Sequence, residues 1–263
     1  MKKLIPLLLL LVAMPSLAQR QFDIEVIIFK RAVDAEKVSE SWPNTLPTIN
    51  VDNAGNFADN AYLEKKGVTL LPSSEYQLNA QEQTLKDHAG FEVLLHTAWR
   101  QGDEGKSQAP IFHIQAGKNY ADSFNPDGSA RQPQSDAPAP VEGVVEQTMP
   151  APIYELDGTL QVYVQHYLYA ETTLDLKEPS TRDVVLKDKQ LELEVSPDDQ
   201  DANVQLGHLE SVSPTQEVET FLKSYRMEQK RRMRSGETHY LDHPLMGMII
   251  QVRRVDDSTQ AAQ

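Results

Sequence analysis

The stretch FDIEVIIFK at residues 22–30 constrains the fold more than any other part of the chain. Along an extended backbone Phe22, Ile24, Val26 and Ile28 fall on one side, and Ile27 and Phe29 on the other. A strand that is apolar on both sides needs cover on both, which predicts a buried central position in a sheet. Further strand patterns occur at residues 91–99 (FEVLLHTAW), at 111–115 and at 245–255, the last with Met246, Met248, Ile250 and Val252 in period-2 register. In GTLQVYVQHYLYAETTLDL (158–176) the alternation runs over Leu160, Val162, Val164, His166 and Leu168, and a second strand is expected around Thr172 to Leu176. SSEYQLNAQEQTLKDHAG (73–90) reads as a helix opened by Ser74 and Gln77 in capping-box register and closed at Gly90. The fold class is therefore α+β, a largely antiparallel β-sheet with one or two helices.

Long excursions interrupt these elements. Residues 117–152 and 177–217 are rich in Pro, Ser, Asp and Gln and are expected as loop-rich or disordered insertions, although LKDKQLELEV within the second can supply a strand. Residues 34–61 are also turn-rich. The expected organisation is a leader over 1–18, a single α+β domain over 19–255 and a disordered tail over 256–263.

The leader has a basic start at Lys2-Lys3, a short leucine-rich core and small residues at Ser16 and Ala18, the pattern of a signal peptide cut after Ala18. No later apolar run approaches the roughly 20 residues of a spanning helix. The expected product is exported to the periplasm without membrane insertion. The chain has no cysteine, so neither a disulfide nor a thioether-linked lipid anchor can form. Loss of Lys2 and Lys3 moves the formal net charge from −14 to −16 over 245 residues. Such a charge opposes binding to nucleic acid or to an anionic membrane.

Marked catalytic patterns are missing. No serine has lysine three residues on, and no Gly-x-Ser-x-Gly elbow, Walker loop or His-Glu-x-x-His is present. His96 and Asp103 share a seven-residue spacing with the ligands of LAS-type wall metallopeptidases, but Trp99 and Gln101 stand where that motif has small residues. A hydrogen-bonded strand histidine is the expected state of His96. No cofactor and no metal site are expected.

The charge is unevenly spread. Residues 221–254 carry eight basic side chains against three acidic ones, and RRMRSGETHYLDHP (231–244) is the densest part. His239 and His243 have helical metal-ligand spacing, yet Gly236 interrupts a helix and Pro244 disfavours helix at His243. A hairpin explains the same letters, with a turn at Ser235-Gly236 and a return strand from Glu237 to Leu241. In it Thr238 and Tyr240 face one way, His239 and Leu241 the other. Arg226, Lys230 and Arg232 read as one face of a solvated edge strand. Arginine forks also suit bidentate binding of carboxylates. The candidate ligand-binding residues are Arg231, Arg232, Arg234, Glu237, His239, Tyr240, Asp242 and His243. Trp42, Trp99, Tyr163, Tyr167 and Tyr240 have rings able to stack on sugars.

Five blocks carry a resemblance: FDIEVIIFKR at 22–31, ESWP at 40–43, VLLHTAWRQ at 93–101, GTLQVYVQHYLY at 158–169 and RRMRSGETHYLDHPLMGMIIQV at 231–252. In that order they resemble the CsiV family of periplasmic peptidoglycan-binding proteins. The resemblance implies a non-enzymatic accessory of cell-wall synthesis and cell shape. It also implies peptidoglycan and the outer-membrane lipoprotein activator of a class A penicillin-binding protein as partners. The chain departs from the family at His166-Tyr167-Leu168-Tyr169, where the family tends to have Arg-Tyr-Leu-His. A role assigned to that arginine or histidine cannot be carried over. Two other readings stay open, an interaction adaptor without wall binding of its own and a metal-dependent wall hydrolase.

Overall fold

A computed structural model of the chain describes residues 20–131, 150–185 and 216–255. Two compact units emerge, one built from Met1–Tyr120, Tyr154–Lys177 and Ser224–Gln263, the other from Ala121–Ile153 and Glu178–Lys223. The second takes in most of the two stretches expected as excursions and adds Ile153 and residues 218–223.

The first unit is organised by β1 (Gln21–Arg31), which pairs antiparallel with β3 (Phe91–Gly102) on one side and β9 (Met246–Arg254) on the other. β2 (Thr69–Leu70) and β8 (Thr238–Asp242) complete a five-stranded sheet in the order β2-β3-β1-β9-β8. β4 (Ile111–Asn119), β5 (Tyr154–Val164), β6 (Leu168–Val185) and β7 (Gln216–Met233) form a second sheet in that order. One face of each sheet contributes to a common core, to which Ile24, Val26, Ile28, Trp99 and Ile250 come from the first and Phe112, Leu160, Leu174 and Met227 from the second. Trp99 meets the Phe112 ring at 4.9 Å, and its indole N–H donates to Gln101, whose own amide donates to the Val162 carbonyl. Gln101 is buried, so both ends of that amide have partners where water is excluded.

The other face of β1 carries Ile27 and Phe29 against Leu78 and Leu85 of the helical segment. The central, doubly covered strand anticipated from residues 22–30 is thus observed. α1 (Asn60–Lys65) is a single short helix capped by the Asp59 side chain. Its Tyr62 hydroxyl both donates to the Ile111 carbonyl and accepts from the Ile111 amide.

Three expectations on residues 73–90, 158–176 and 177–217 need correction. Helix α2 spans Asn79–Asp87 and does not begin at Ser74, which lies in a 3₁₀ turn over Ser73–Glu75. The Gln77 and Leu78 amides at its start donate to the Glu25 carboxylate of β1, so a tertiary partner does what the local capping box was expected to do. Residues 158–176 are not one strand through Leu168 followed by another. The chain reverses at Gln165–His166–Tyr167, with Val164 paired to Leu168 and Tyr163 to Tyr169. A three-residue loop keeps even-numbered positions on the same face in both arms, so the alternation passes through the reversal without a break. Residues 178–185, expected in an insertion, extend β6. LKDKQLELEV, the leader and the C-terminal tail lie outside the described residues.

In the second unit Arg182 bonds Glu219 at 3.1 Å and lies over the Phe221 ring at 4.7 Å. Gly128 holds φ at 84°, in a turn where the Asp127 carboxylate accepts from both the Ser129 amide and its hydroxyl.

Glu25 is fully buried in the first unit. Burial alone would push its carboxyl up. Hydrogen bonds from His96, Arg253 and the Gln77 and Leu78 amides reverse that and hold it at about 2. His96 lies between Glu25 at 3.0 Å and Glu82 at 3.1 Å. Burial opposes its charge, but the two carboxylates prevail and raise it above its usual 6.5. The lowered carboxyl stabilises the fold above its ordinary 4.5, a contribution lost as pH falls towards about 2. The raised imidazole stabilises below 6.5, and that contribution is lost as pH rises through its folded value. Urea titrations across pH should therefore show stability falling on both sides of the interval from 4.5 to 6.5. Glu25→Ala should cost about 3–5 kcal/mol at pH 6, because it leaves the buried Leu78 amide and the partly buried Arg253 without their acceptor. His96→Gln should flatten the decline on the alkaline side.

Candidate functional site

The basic C-terminal passage turns a corner between the sheets. β7 belongs to the second sheet and β8 to the first, so Ser235-Gly236 does not close a hairpin between them, as the sequence suggested. The return strand exists, but β8 pairs antiparallel with β9, from Thr238 opposite Gln251 to Asp242 opposite Gly247. The corner is fastened to β9 by the Gly236 amide donating to the Val252 carbonyl at 2.8 Å and the Arg254 amide donating to the Ser235 hydroxyl at 3.0 Å. Gly236 has φ of 84°, a conformation that side-chain-bearing residues adopt at a cost.

The eight candidate residues distribute around this corner rather than converging. Arg234 and Glu237 pair at 3.6 Å on the surface, and the Arg234 amide donates to the His239 ring at 3.2 Å. Tyr240 and Asp242 project from the other face of β8. Arg31 donates to both the Tyr240 hydroxyl and the Asp242 carboxylate, and Tyr240 donates to Asp242 at 2.9 Å while stacking on Phe29 at 6.3 Å. Burial raises the Tyr240 hydroxyl above its usual value, against the pull of Arg31. His243 turns inward beside Trp42, its ring accepting from the Leu245 amide at 3.2 Å. Burial lowers it below 6.5, so it is neutral at neutral pH. His239 and His243 therefore do not face a common ligand. Among the described residues no group of three His, Asp or Glu side chains is placed to hold a metal.

Arg231 and Arg232 remain exposed near the end of β7, a terminal strand of its sheet. Arg226, on the same side as Arg232, is held by Asp175 through two bonds of 2.8 Å and by the Pro47 carbonyl. Further along, the pattern changes. Lys230 lies over the Tyr169 ring at 5.1 Å and the Tyr163 ring at 5.8 Å, and Arg232 over the Tyr167 ring at 4.3 Å. Such contacts orient the cations over the ring faces without neutralising them. Among the described residues Lys230, Arg231 and Arg232 have no carboxylate within ion-pair distance. Hydrogen bonding to Tyr163 raises the Lys230 ammonium above its usual value. Tyr163 and Tyr169 are cross-strand partners stacked at 5.5 Å, and Lys106 reaches the same cluster through Glu171 at 2.8 Å.

Lys230, Tyr169, Lys106 and Glu171 were not among the expected site residues. Their signal was the cross-strand pairing, hidden because the reversal at Gln165–Tyr167 does not disturb the alternation. Of the rings considered for stacking, Trp99 and Tyr163 are fully buried, whereas Tyr167 is 52% exposed. His96 is occupied by Glu25 and Glu82, and Asp103 by Arg20, so the two do not form a metal pair.

These features define a two-sheet antiparallel protein with a cationic, tyrosine-backed strand face. A family model for peptidoglycan-binding proteins of the CsiV type matches residues 3–255. The chain belongs to the CsiV family of peptidoglycan-binding proteins. Among curated proteins none matches it.

Replacing Gly236 by alanine should lower stability by about 1–2 kcal/mol, because a Cβ disfavours its backbone conformation. Thermal unfolding would register this as a lower midpoint, and an unchanged midpoint would show that the corner relaxes freely.

Proposed function

We propose that this chain is a non-enzymatic periplasmic protein that binds peptidoglycan and supports wall synthesis and cell shape. It acts with the outer-membrane lipoprotein that activates a class A penicillin-binding protein. Family membership supports the wall-binding role. The leader pattern of residues 1–18 supports export. The observation that carries the reading is the exposed cationic end of β7, with Arg231 and Arg232 free of carboxylate partners among the described residues of an acidic chain. Stem peptides of the wall present carboxylates, which arginine forks bind with short, charge-assisted hydrogen bonds. The docking region comprises Arg231, Arg232 and Arg234, with Glu237, His239, Tyr240, Asp242 and His243 shaping the corner that presents them.

Sedimentation with purified sacculi tests this. The wild-type protein should pellet with the wall, and a folded variant with Arg231, Arg232 and Arg234 all changed to alanine should remain largely in the supernatant. Undiminished binding by that variant would reject the docking role. The pull-down of wild-type protein should weaken as salt rises through physiological strength, because exposed ionic contacts are screened over about 8–10 Å.

A further inference from the structure

Lys230 and Arg232 stand two residues apart on one face of β7, which places their backbones about 6.5–7 Å apart along the strand. Three tyrosines lie beneath them. Tyr163 and Tyr169 form the cross-strand pair at the closed end of the β5–β6 hairpin, and Tyr167 lies in its loop. Glu171, the carboxylate in this cluster, is engaged by Lys106 through both oxygens at 2.8 Å and by the Tyr163 hydroxyl at 3.1 Å. It leaves Lys106, Lys230 and Arg232 with a local surplus of positive charge. The Arg226–Asp175 pair shows the alternative on the same strand, a fork already filled by the chain's own carboxylate.

A cation resting over a ring is held in place by the ring's negative face, while its N–H groups at the edge stay available. Arg232 over Tyr167 is thus an oriented fork, and Lys230 over Tyr169 a second donor beside it. The chain as a whole carries −14, which repels extended polyanions at long range and favours a compact ligand with its charge at one point.

We propose that this face is a muropeptide subsite, in which a stem-peptide carboxylate docks between Lys230 and Arg232 and the open side of the Tyr167 ring receives the apolar face of the adjoining sugar. The inference rests on the wall-binding reading and moves the centre of recognition from the Ser235-Gly236 corner to the sheet face. Arg234, already paired with Glu237, is peripheral to it.

Calorimetric titration of the purified protein with a soluble disaccharide-tetrapeptide, and with the same compound amidated at its carboxyls, tests the assignment. The acidic form should bind about tenfold more tightly than the amidated one, the loss expected when charge-assisted bonds are removed. Lys230→Gln with Arg232→Gln should abolish that preference. Tyr167→Ala should weaken both forms, the acidic one more, because Arg232 then loses the ring that orients its fork, and Lys86→Gln, on the surface of α2, should change neither. Circular dichroism of each variant checks that it is folded. Retention of wild-type preference by the folded K230Q/R232Q protein would overturn the subsite. The sacculus assay separates the two levels: wild type failing to pellet would refute wall binding itself, whereas wild type and K230Q/R232Q pelleting equally would refute only the subsite.

Discussion

A carboxylate buried between a sheet and the segment packed on it is tolerated only when donors surround it, and Glu25 has four. The amides of Gln77 and Leu78, the His96 ring and the Arg253 guanidinium bring together β1, the start of α2, β3 and β9. Each partner is distant in sequence, so the site forms only when the sheet is assembled. Its ionisation then depends on the fold and the fold on its ionisation. The same group that starts the helix fixes the cover over Ile27 and Phe29, making the central strand a two-sided core element.

The second constraint is the change of sheet at the Ser235-Gly236 corner. Had β7 and β8 paired as a hairpin closed by Ser235-Gly236, Arg231 would have stood opposite Tyr240, and Lys230 and Arg232 on the face of Leu241 and His239. By sending β7 to one sheet and β8 to the other, the corner puts Arg31 against Tyr240 and Asp242 and puts Lys230 and Arg232 over the tyrosines of β5 and β6. One short basic passage thus supplies a structural clasp on one sheet and a charged face on the other. The clasp satisfies its charges internally, whereas Lys230, Arg231 and Arg232 have no carboxylate partner among the described residues.

The family assignment suits this division. Binding to a wall polymer asks for exposed, oriented donors, and the proposed subsite offers Lys230 and Arg232 held over tyrosine rings. The inward turn of His243 and the occupied state of His96 are explained by packing and hydrogen bonding, with no need of a metal.

The sequence by itself determined the central strand, the antiparallel β-rich class, the return strand after Gly236 and the concentration of positive charge near the C-terminus. These follow from local chemistry: side-chain alternation, the conformational freedom of glycine and the restriction imposed by Pro244. Only the tertiary structure decided where α2 starts, which strand pairs with β8, where β5 reverses into β6 and which cations are already matched. Those outcomes depend on partners far apart in the chain, such as Glu25 with Leu78 or Lys230 with Tyr169, and on a three-residue loop that leaves the alternation of buried positions unbroken. Periodicity records which side of a strand a residue faces; it carries no record of the neighbour that will lie across from it.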